Sequence, residues 1–227
     1  MKSELTITRM SKSSWFKIVY DQTVIHVDPG FGGFYESQGI CEDDMKDQAD
    51  YIFISHEHKD HMRDEAIEKL YKKETEIICS KSCSPHLKWK HEIFFPQGEK
   101  KFSHFSVESI YAYNTEEGHS TKKYHPKDTY LGFVFTFDKF RIYFAGDTDI
   151  TDEMKSLQNI DLAMLPIGGT YVMDFEEGII ATSILHPTYV IPMHHAHENL
   201  EDFKVQVEKQ TQTKAIVLHN GDSYTFY

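Results

Sequence analysis

The chain has 227 residues, 40% of them hydrophobic, with 36 acidic against 24 basic side chains and a formal net charge of −12. That size and apolar content suit a globular protein with a sizeable core, and the acidic balance argues against a nucleic-acid partner, which needs clustered Lys and Arg. The opening MKSELTITRM lacks the apolar core of a signal peptide and no run approaches membrane-spanning length, so no membrane association is expected. Cys41, Cys79 and Cys83 cannot all pair within one chain. The last two are spaced CxxxC, which fits neither a CxxC redox motif nor a zinc knuckle, and reduced thiols in a cytoplasmic protein are the expectation.

Short β-rich runs at residues 5–7, 15–20 and 23–27 read as an opening meander, with Asp21-Gln22 as the turn between the last two. The third run stops at Asp28-Pro29-Gly30. A carboxylate in the place of Asp28 either orients a metal-binding histidine or forms the turn before Pro29. Residues 31–40, rich in Gly and aromatic side chains without a period, read as a loop that covers a site or packs on the surface. Tyr51-Ile52-Phe53-Ile54 is a buried strand that runs into Ser55-His56-Glu57-His58-Lys59-Asp60-His61.

Three histidines and two carboxylates in that loop are more than solubility requires. His56 and His58 are two apart, so in extended backbone they point the same way; Asp60 and His61 follow as the chain turns. Imidazole and carboxylate are the ligands preferred by zinc and similar divalent ions. The zincin signature HExxH begins at His56-Glu57 but needs a histidine where Asp60 stands, and so fails. The loop reads as half of a two-metal site.

Beyond it, residues 64–73 place Ala66, Ile67, Leu70 and Tyr71 at amphipathic-helix spacing. A strand is expected at 76–79, a short helix at 82–88, and strands at 91–95 and 107–113. The polar segment 114–128 holds His119 and His125; its Lys122 and Lys123 either attract an anionic group or are simply solvated. Residues 130–137 and 140–144 form a hairpin across Asp138-Lys139 that ends in Ala145-Gly146-Asp147-Thr148. A short helix at 154–157, a strand at 162–167, a helix at 175–185 capped by Asp174, and a strand at 189–193 ending in His194-His195-Ala196-His197 follow. A helix at 198–209 and a strand at 215–218 complete the chain. With no linker, low-complexity run or internal copy of the histidine loop, residues 1–227 read as one α/β domain of two sheets sandwiched between helices.

The chemistry gathers at strand ends: the histidine loop, then Asp147, then His194. Two metals about 3.5–4 Å apart can clamp the oxygens of a reacting group. Asp147 would bridge them, because a carboxylate offers two oxygens where an imidazole offers one nitrogen to a metal. These motifs resemble the metallo-β-lactamase superfamily. Its HxHxDH signature is met by His56-Glu57-His58-Lys59-Asp60-His61, its bridging aspartate by Gly146-Asp147-Thr148, its last histidine by Ile191-Pro192-Met193-His194, and its early aspartate by Asp28. Leu165-Pro166-Ile167-Gly168-Gly169-Thr170-Tyr171 is similar to the branch that includes L-ascorbate-6-phosphate lactonase.

The resemblance implies a four-layer αββα sandwich and two divalent metal ions, zinc first, with manganese, nickel or iron as alternatives. His56 and His58 would bind the first metal, Asp60, His61 and His194 the second, with Asp147 between them. A hydroxide held by both metals, oriented by Asp60, would attack a small-molecule ester or lactone. The family often places one more ligand of the first metal at the end of the 107–113 strand, where this chain has Asn114. His125 is the first choice instead, because relatives in the branch carry a similar His-Pro-Lys, and His119 the second. His195 and His197 adjoin a ligand and are candidates for a proton donor or substrate contact, whereas His26, His86, His91, His104, His186 and His219 read as core-edge or surface residues. The rival readings are a phosphodiesterase or nuclease on the same centre, an iron redox protein without a flavin-binding extension, or a vestigial metal site. A small molecule is the expected partner, with a homo-oligomer as an option.

Overall fold

In the computed structural model, which describes residues 4–33 and 45–227, the opening meander forms from Leu5–Arg9 (β1), Phe16–Tyr20 (β2) and Thr23–Val27 (β3), each antiparallel to the next. Asp21 makes the tight turn between β2 and β3 at φ 53°, a conformation that Asp tolerates better than most residues. Tyr51–Ile54 (β4), Glu76–Cys79 (β5) and His91–Ile93 (β6) then add in parallel beside β3. The helix Asp64–Leu70 (α1) lies between β4 and β5 in the chain and buries Ala66, Ile67 and Leu70. Ser223–Phe226 (β14) returns antiparallel to β1 and completes a seven-stranded sheet in the order β14-β1-β2-β3-β4-β5-β6.

These elements make up one of two compact units, Met1–Phe94 with Leu218–Tyr227. Its core packs Trp15, Phe31, Ile52, Ile54, Ile67, Leu70, Cys79 and Cys83, and both of these cysteines are free thiols. Buried Arg9 fastens the C-terminal segment, donating to the carbonyls of Ser11 (2.9 Å), Lys12 (2.8 Å) and Leu218 (3.2 Å); burial lowers its guanidinium pKa to about 10.

The other unit, Phe95–Val217, repeats the same plan. Glu99–Lys101 (β7), Ser106–Ala112 (β8), Tyr130–Phe137 (β9) and Phe140–Phe144 (β10) form an antiparallel meander. Leu162–Pro166 (β11), Tyr189–Met193 (β12) and Lys214–Ala215 (β13) follow in parallel, giving the order β13-β12-β11-β10-β9-β8-β7. Asp152–Lys155 (α2), Phe175–Leu185 (α3) and Leu200–Gln210 (α4) are its helices. Asp174 caps α3 through a reciprocal capping box with Glu177. Each sheet thus switches from antiparallel to parallel pairing once, at β3–β4 in one and at β10–β11 in the other.

Several boundaries differ from expectation for local reasons. Asn199 accepts the amides of Glu201 and Asp202, so α4 starts at Leu200 and not at 198; Thr151 caps α2 in the same way and starts it two residues early. Residues 82–88 contain only the 3₁₀ turn Ser84–His86, and the last expected strand shortens to Lys214–Ala215. The edge strands β7 and β14 went unread, β7 because its three residues are all charged and β14 because its Ser-Tyr-Thr-Phe alternation spans only four residues. Beyond Gly33, the loop expected at 31–40 lies outside the described residues, as does Cys41. Among the described residues no helix is long and apolar enough to cross a membrane.

His26, read as a core-edge or surface residue, is fully buried and accepts the Trp15 indole N–H at Nδ1 (2.9 Å). Desolvation, and then the charge of Lys17, push its pKa from 6.5 down to about 3. Between those values the unfolded chain binds the proton that the folded one refuses. Stability that is complete above pH 6.5 is therefore lost as pH falls toward about 3, at about 1.4 kcal/mol per pH unit for one proton. Urea midpoints measured from about pH 7 down to about pH 4 should drop less steeply in His26→Gln than in the wild type; parallel curves would assign the acid sensitivity to another group.

Candidate metal centre

In the first unit, β3 and β4 end side by side, and the residues that follow them interlock. Asp28 adopts φ 49° and is fully buried. Its Oδ1 accepts the Ser55 amide (2.6 Å); its Oδ2 accepts the Ser55 hydroxyl (2.6 Å) and pairs with His61 Nδ1 (2.7 Å). Ser55 Oγ, its own proton given to Asp28, accepts from His56 Nδ1 (2.9 Å). One carboxylate thereby fixes the tautomer of two histidines, His61 directly and His56 through Ser55, and leaves Nε2 of both as the metal-facing lone pair. Burial raises the Asp28 pKa above its ordinary value, opposed by the hydrogen bond and charge of His61 and by Ser55.

The loop is held as a tight turn. His61 and Met62 both donate their amides to the His58 carbonyl, at 2.9 and 2.8 Å, and the Arg63 amide donates to the Pro29 carbonyl (3.1 Å). The His56 ring centroid stands 4.7 Å from that of His58 and 4.0 Å from that of His61, and His61 Nε2 is 3.7 Å from Asp60 Oδ2. Gly30 makes this approach possible, since a Cβ there would overlap the backbone of Asp60 and His61.

The second unit gathers His125, Asp147 and His194. Asp147 follows β10 and His194 follows β12; Nε2 of His125 and Nε2 of His194 each lie 3.4 Å from Asp147 Oδ2. His125 is buried, and its Nδ1 faces two acceptors, Asn114 Oδ1 (3.1 Å) and the Tyr171 carbonyl (3.0 Å). Asn114 also accepts the His125 amide (2.9 Å) and donates its own amide to the His125 carbonyl (2.8 Å). The asparagine that departs from the family pattern is therefore the residue that positions the histidine. His119 is exposed and paired with Asp174 (2.8 Å), which raises its pKa, and the structure places it with Asp174 and Glu177 and away from Asp147.

Sequence reasoning missed Ser55, Asp149 and Lys123. Asp149 is buried, and its Oδ2 accepts the Thr115 amide (2.9 Å), the Ser120 hydroxyl (2.8 Å) and Lys123 Nζ (3.1 Å). It braces the segment that carries His125, and its only trace in the sequence is a second aspartate two places after Asp147. Lys123, read with Lys122 as either attracting an anionic group or solvated, is bound to Asp149 as a structural cation.

The donor set suits divalent metal ions. The Nδ1 atoms of His61 and His125 face acceptors, and the Nε2 atom of each ring turns toward a carboxylate oxygen, where a metal could take both. The residues that would hold such ions are His56, His58, Asp60 and His61 within one unit and, taken separately, His125, Asp147 and His194 within the other.

Comparison with known proteins agrees with this chemistry. Residues 6–194 match the family model described as the Beta-lactamase superfamily domain, and the chain belongs to that family. It is a metal-dependent hydrolase of the metallo-β-lactamase superfamily. A UPF0173 metal-dependent hydrolase of Staphylothermus marinus is 31% identical over 187 residues, 78% of each chain. The crystal structure of a protein of Parabacteroides distasonis, proposed to be a metal-dependent hydrolase, is similar with a TM-score of 0.84 and 31% identity, covering 97% of this chain and 94% of that one. A metallo-beta-lactamase fold protein of Bacillus subtilis, at 12% identity, matches in fold with a TM-score of 0.79 over 99% of this chain and 100% of its own. These likenesses assign the chain to the metallo-β-lactamase fold class, whose members are αββα sandwiches.

Two substitutions in one loop test the role of Gly30. Gly30→Ala should lower metal affinity by about 10–100-fold, the loss usual when the support of a ligand is disturbed, whereas a Cβ at Gly32 meets nothing within 4 Å and Gly32→Ala should leave metal content alone. Elemental analysis after dialysis reads the difference. By the same measurement, Asn114→Ala should lose metal and His119→Ala retain it; the reverse order would make His119 the ligand.

Proposed function

We propose that the histidine loop and the His125–Asp147–His194 cluster are halves of one centre in a single domain spanning residues 1–227. It holds two divalent metal ions, zinc first among them, and hydrolyses a small-molecule ester or lactone in the cytoplasm. The observation that carries the reading is the committed Nδ1 of His61 and of His125, which aims Nε2 at a carboxylate oxygen in both clusters. Membership of a family of metal-dependent hydrolases supports it. The buried free thiols Cys79 and Cys83 fit a reducing compartment.

Bound metals supply Lewis-acid polarisation of the reacting group and lower the pKa of water to near neutrality. The chain's own residues do the rest. Asp147, with two carboxylate oxygens, would hold metal together with His125 and His194, whose Nε2 atoms lie beside its Oδ2. Asp60 orients the attacking water, takes up its proton and returns it to the departing alkoxide oxygen. Asp28 and Ser55 keep His61 and His56 in the ligating tautomer throughout. The products are a carboxylate and an alcohol, which in a lactone stay in one molecule.

Protein purified without added metal should contain two divalent ions per chain, and chelation should abolish hydrolysis of a panel of lactones, carboxylic esters and phosphodiesters until metal is returned. Turnover confined to phosphodiesters would replace the ester reading, and coloured iron with no hydrolysis would replace hydrolysis with redox chemistry. Asp147→Ala should abolish turnover and keep the wild-type circular dichroism spectrum. Retained activity at unchanged metal content would overturn the role of Asp147.

A further inference from the structure

The loop that presents His125 is joined by backbone hydrogen bonds to the loop that follows β11. Thr121 donates to the Gly169 carbonyl (3.2 Å), Lys122 to the Thr170 carbonyl (2.7 Å), and His125 Nδ1 faces the Tyr171 carbonyl. Three side chains stand out from this joined pair. Tyr124, the residue before His125, is 59% exposed, and its ring centroid lies 5.4 Å from that of half-buried Tyr171 at a tilt of 57°. Lys122 Nζ lies 5.3 Å from the Tyr171 ring centroid and donates to the Tyr171 hydroxyl (3.5 Å).

The lysines of this segment are not alike. Lys123 is bound to Asp149, and Lys127 to Glu153 (3.1 Å), where it also lies over the rings of Tyr111 and Tyr113. Lys122 has no carboxylate partner among the described residues, in a chain whose acidic side chains outnumber its basic ones. An ammonium kept away from carboxylates and propped on an aromatic ring is placed to meet an anion from solution. The exposed Tyr124 face beside it is placed to meet a planar group. A cationic ligand is disfavoured, because Lys122 already occupies the Tyr171 face and would repel it.

We infer that Lys122, Tyr124 and Tyr171 form the substrate-recognition edge of the centre and that the substrate is an ester or lactone carrying an anionic group next to a planar one. This rests on the hydrolytic reading above and names the substrate class for it. The anion pairs with Lys122 Nζ, the planar group stacks on Tyr124, and Tyr171, whose carbonyl also fixes His125, ties the platform to the metal ligand.

The test pairs phenyl acetate with 4-acetoxybenzenesulfonate, the same ester with an anion on the ring. Both are offered to metal-loaded wild type, Lys122→Met, Tyr124→Ala and the exposed-hairpin control Lys139→Met, and calorimetry with naphthalene-2-sulfonate measures binding without turnover. The wild type should show a kcat/KM for the sulfonate about tenfold above that for phenyl acetate, the size of one well-made charged contact. That preference should shrink to near unity in Lys122→Met and persist in Lys139→Met. Tyr124→Ala should weaken naphthalene-2-sulfonate binding about tenfold. Hydrolysis of both esters at equal kcat/KM, or naphthalene-2-sulfonate binding unchanged in both variants, overturns the inference and leaves the hydrolytic reading intact. Binding that is lost in the variants without turnover of either ester keeps the platform and overturns hydrolysis.

Discussion

A carboxylate that is fully buried must be met by donors, and the way Asp28 is met organises the first unit. The amide and hydroxyl of Ser55 and the ring of His61 all converge on it. To reach them, the chain leaves β3 at φ 49° and passes directly into Pro29 and Gly30, which let the histidine loop lie against it. The end of a meander strand and the loop after a parallel strand thus become one assembly. Removing the charge of Asp28 would release Ser55, and through it His56, as well as His61. A histidine whose other nitrogen binds a carboxylate is also a more basic ligand, so the same contact that orders the loop improves its affinity for a cation.

The second unit solves the same problem with neutral acceptors. His125 is oriented by the side-chain carbonyl of Asn114 and the backbone carbonyl of Tyr171, both neutral acceptors. The buried carboxylate of this unit, Asp149, acts one step back, on the loop. It collects Thr115, Ser120 and Lys123, and Gly118 lies so close that a Cβ there would overlap the Asp149 side chain. Lys123 gives up its freedom to neutralise Asp149, which is why adjacent lysines in one loop have opposite fates. The cluster around Asp147 is ordered by an extended polar network and not by a single charge.

The sequence disclosed those parts of the fold and site that obey local rules. The strands β3, β4, β5, β9, β10 and β12 and helix α3 begin and end where their apolar runs and caps place them. Asp28 was legible only as far as two alternatives, orienting a histidine or forming the turn before Pro29, and its contact with His61 decides for the first. Edge strands escaped, since β7 is Glu99–Lys101, three charged residues whose pairing depends on β8 and not on their own pattern. The role of Asn114 escaped for a different reason. Its partner His125 lies 11 residues on, across a polar loop, and no periodicity links the two. His26 misled because an isolated histidine in a strand looks like an edge residue, while its acceptor role toward Trp15 exists only once β2 and β3 have paired.

The two clusters share a feature that bears on stability as well as catalysis. In each, a histidine Nδ1 faces an acceptor and its Nε2 turns toward a carboxylate oxygen, His61 toward Asp60 and His125 toward Asp147. A cation taken up by such ligands in the folded form would favour folding, so the order of each loop and the occupancy of its cluster would be thermodynamically linked. A ligand that binds the folded form alone adds RT ln(1 + [L]/Kd), about 4 kcal/mol at a thousandfold excess over Kd. That is a large share of the roughly 5–15 kcal/mol that holds a typical domain together. A net charge of −12 strengthens the linkage, since every divalent ion taken up also relieves repulsion among surplus carboxylates. The chain tolerates a dense acidic and imidazole cluster at its strand ends because the cation that the chemistry needs is also the counter-charge that the fold needs.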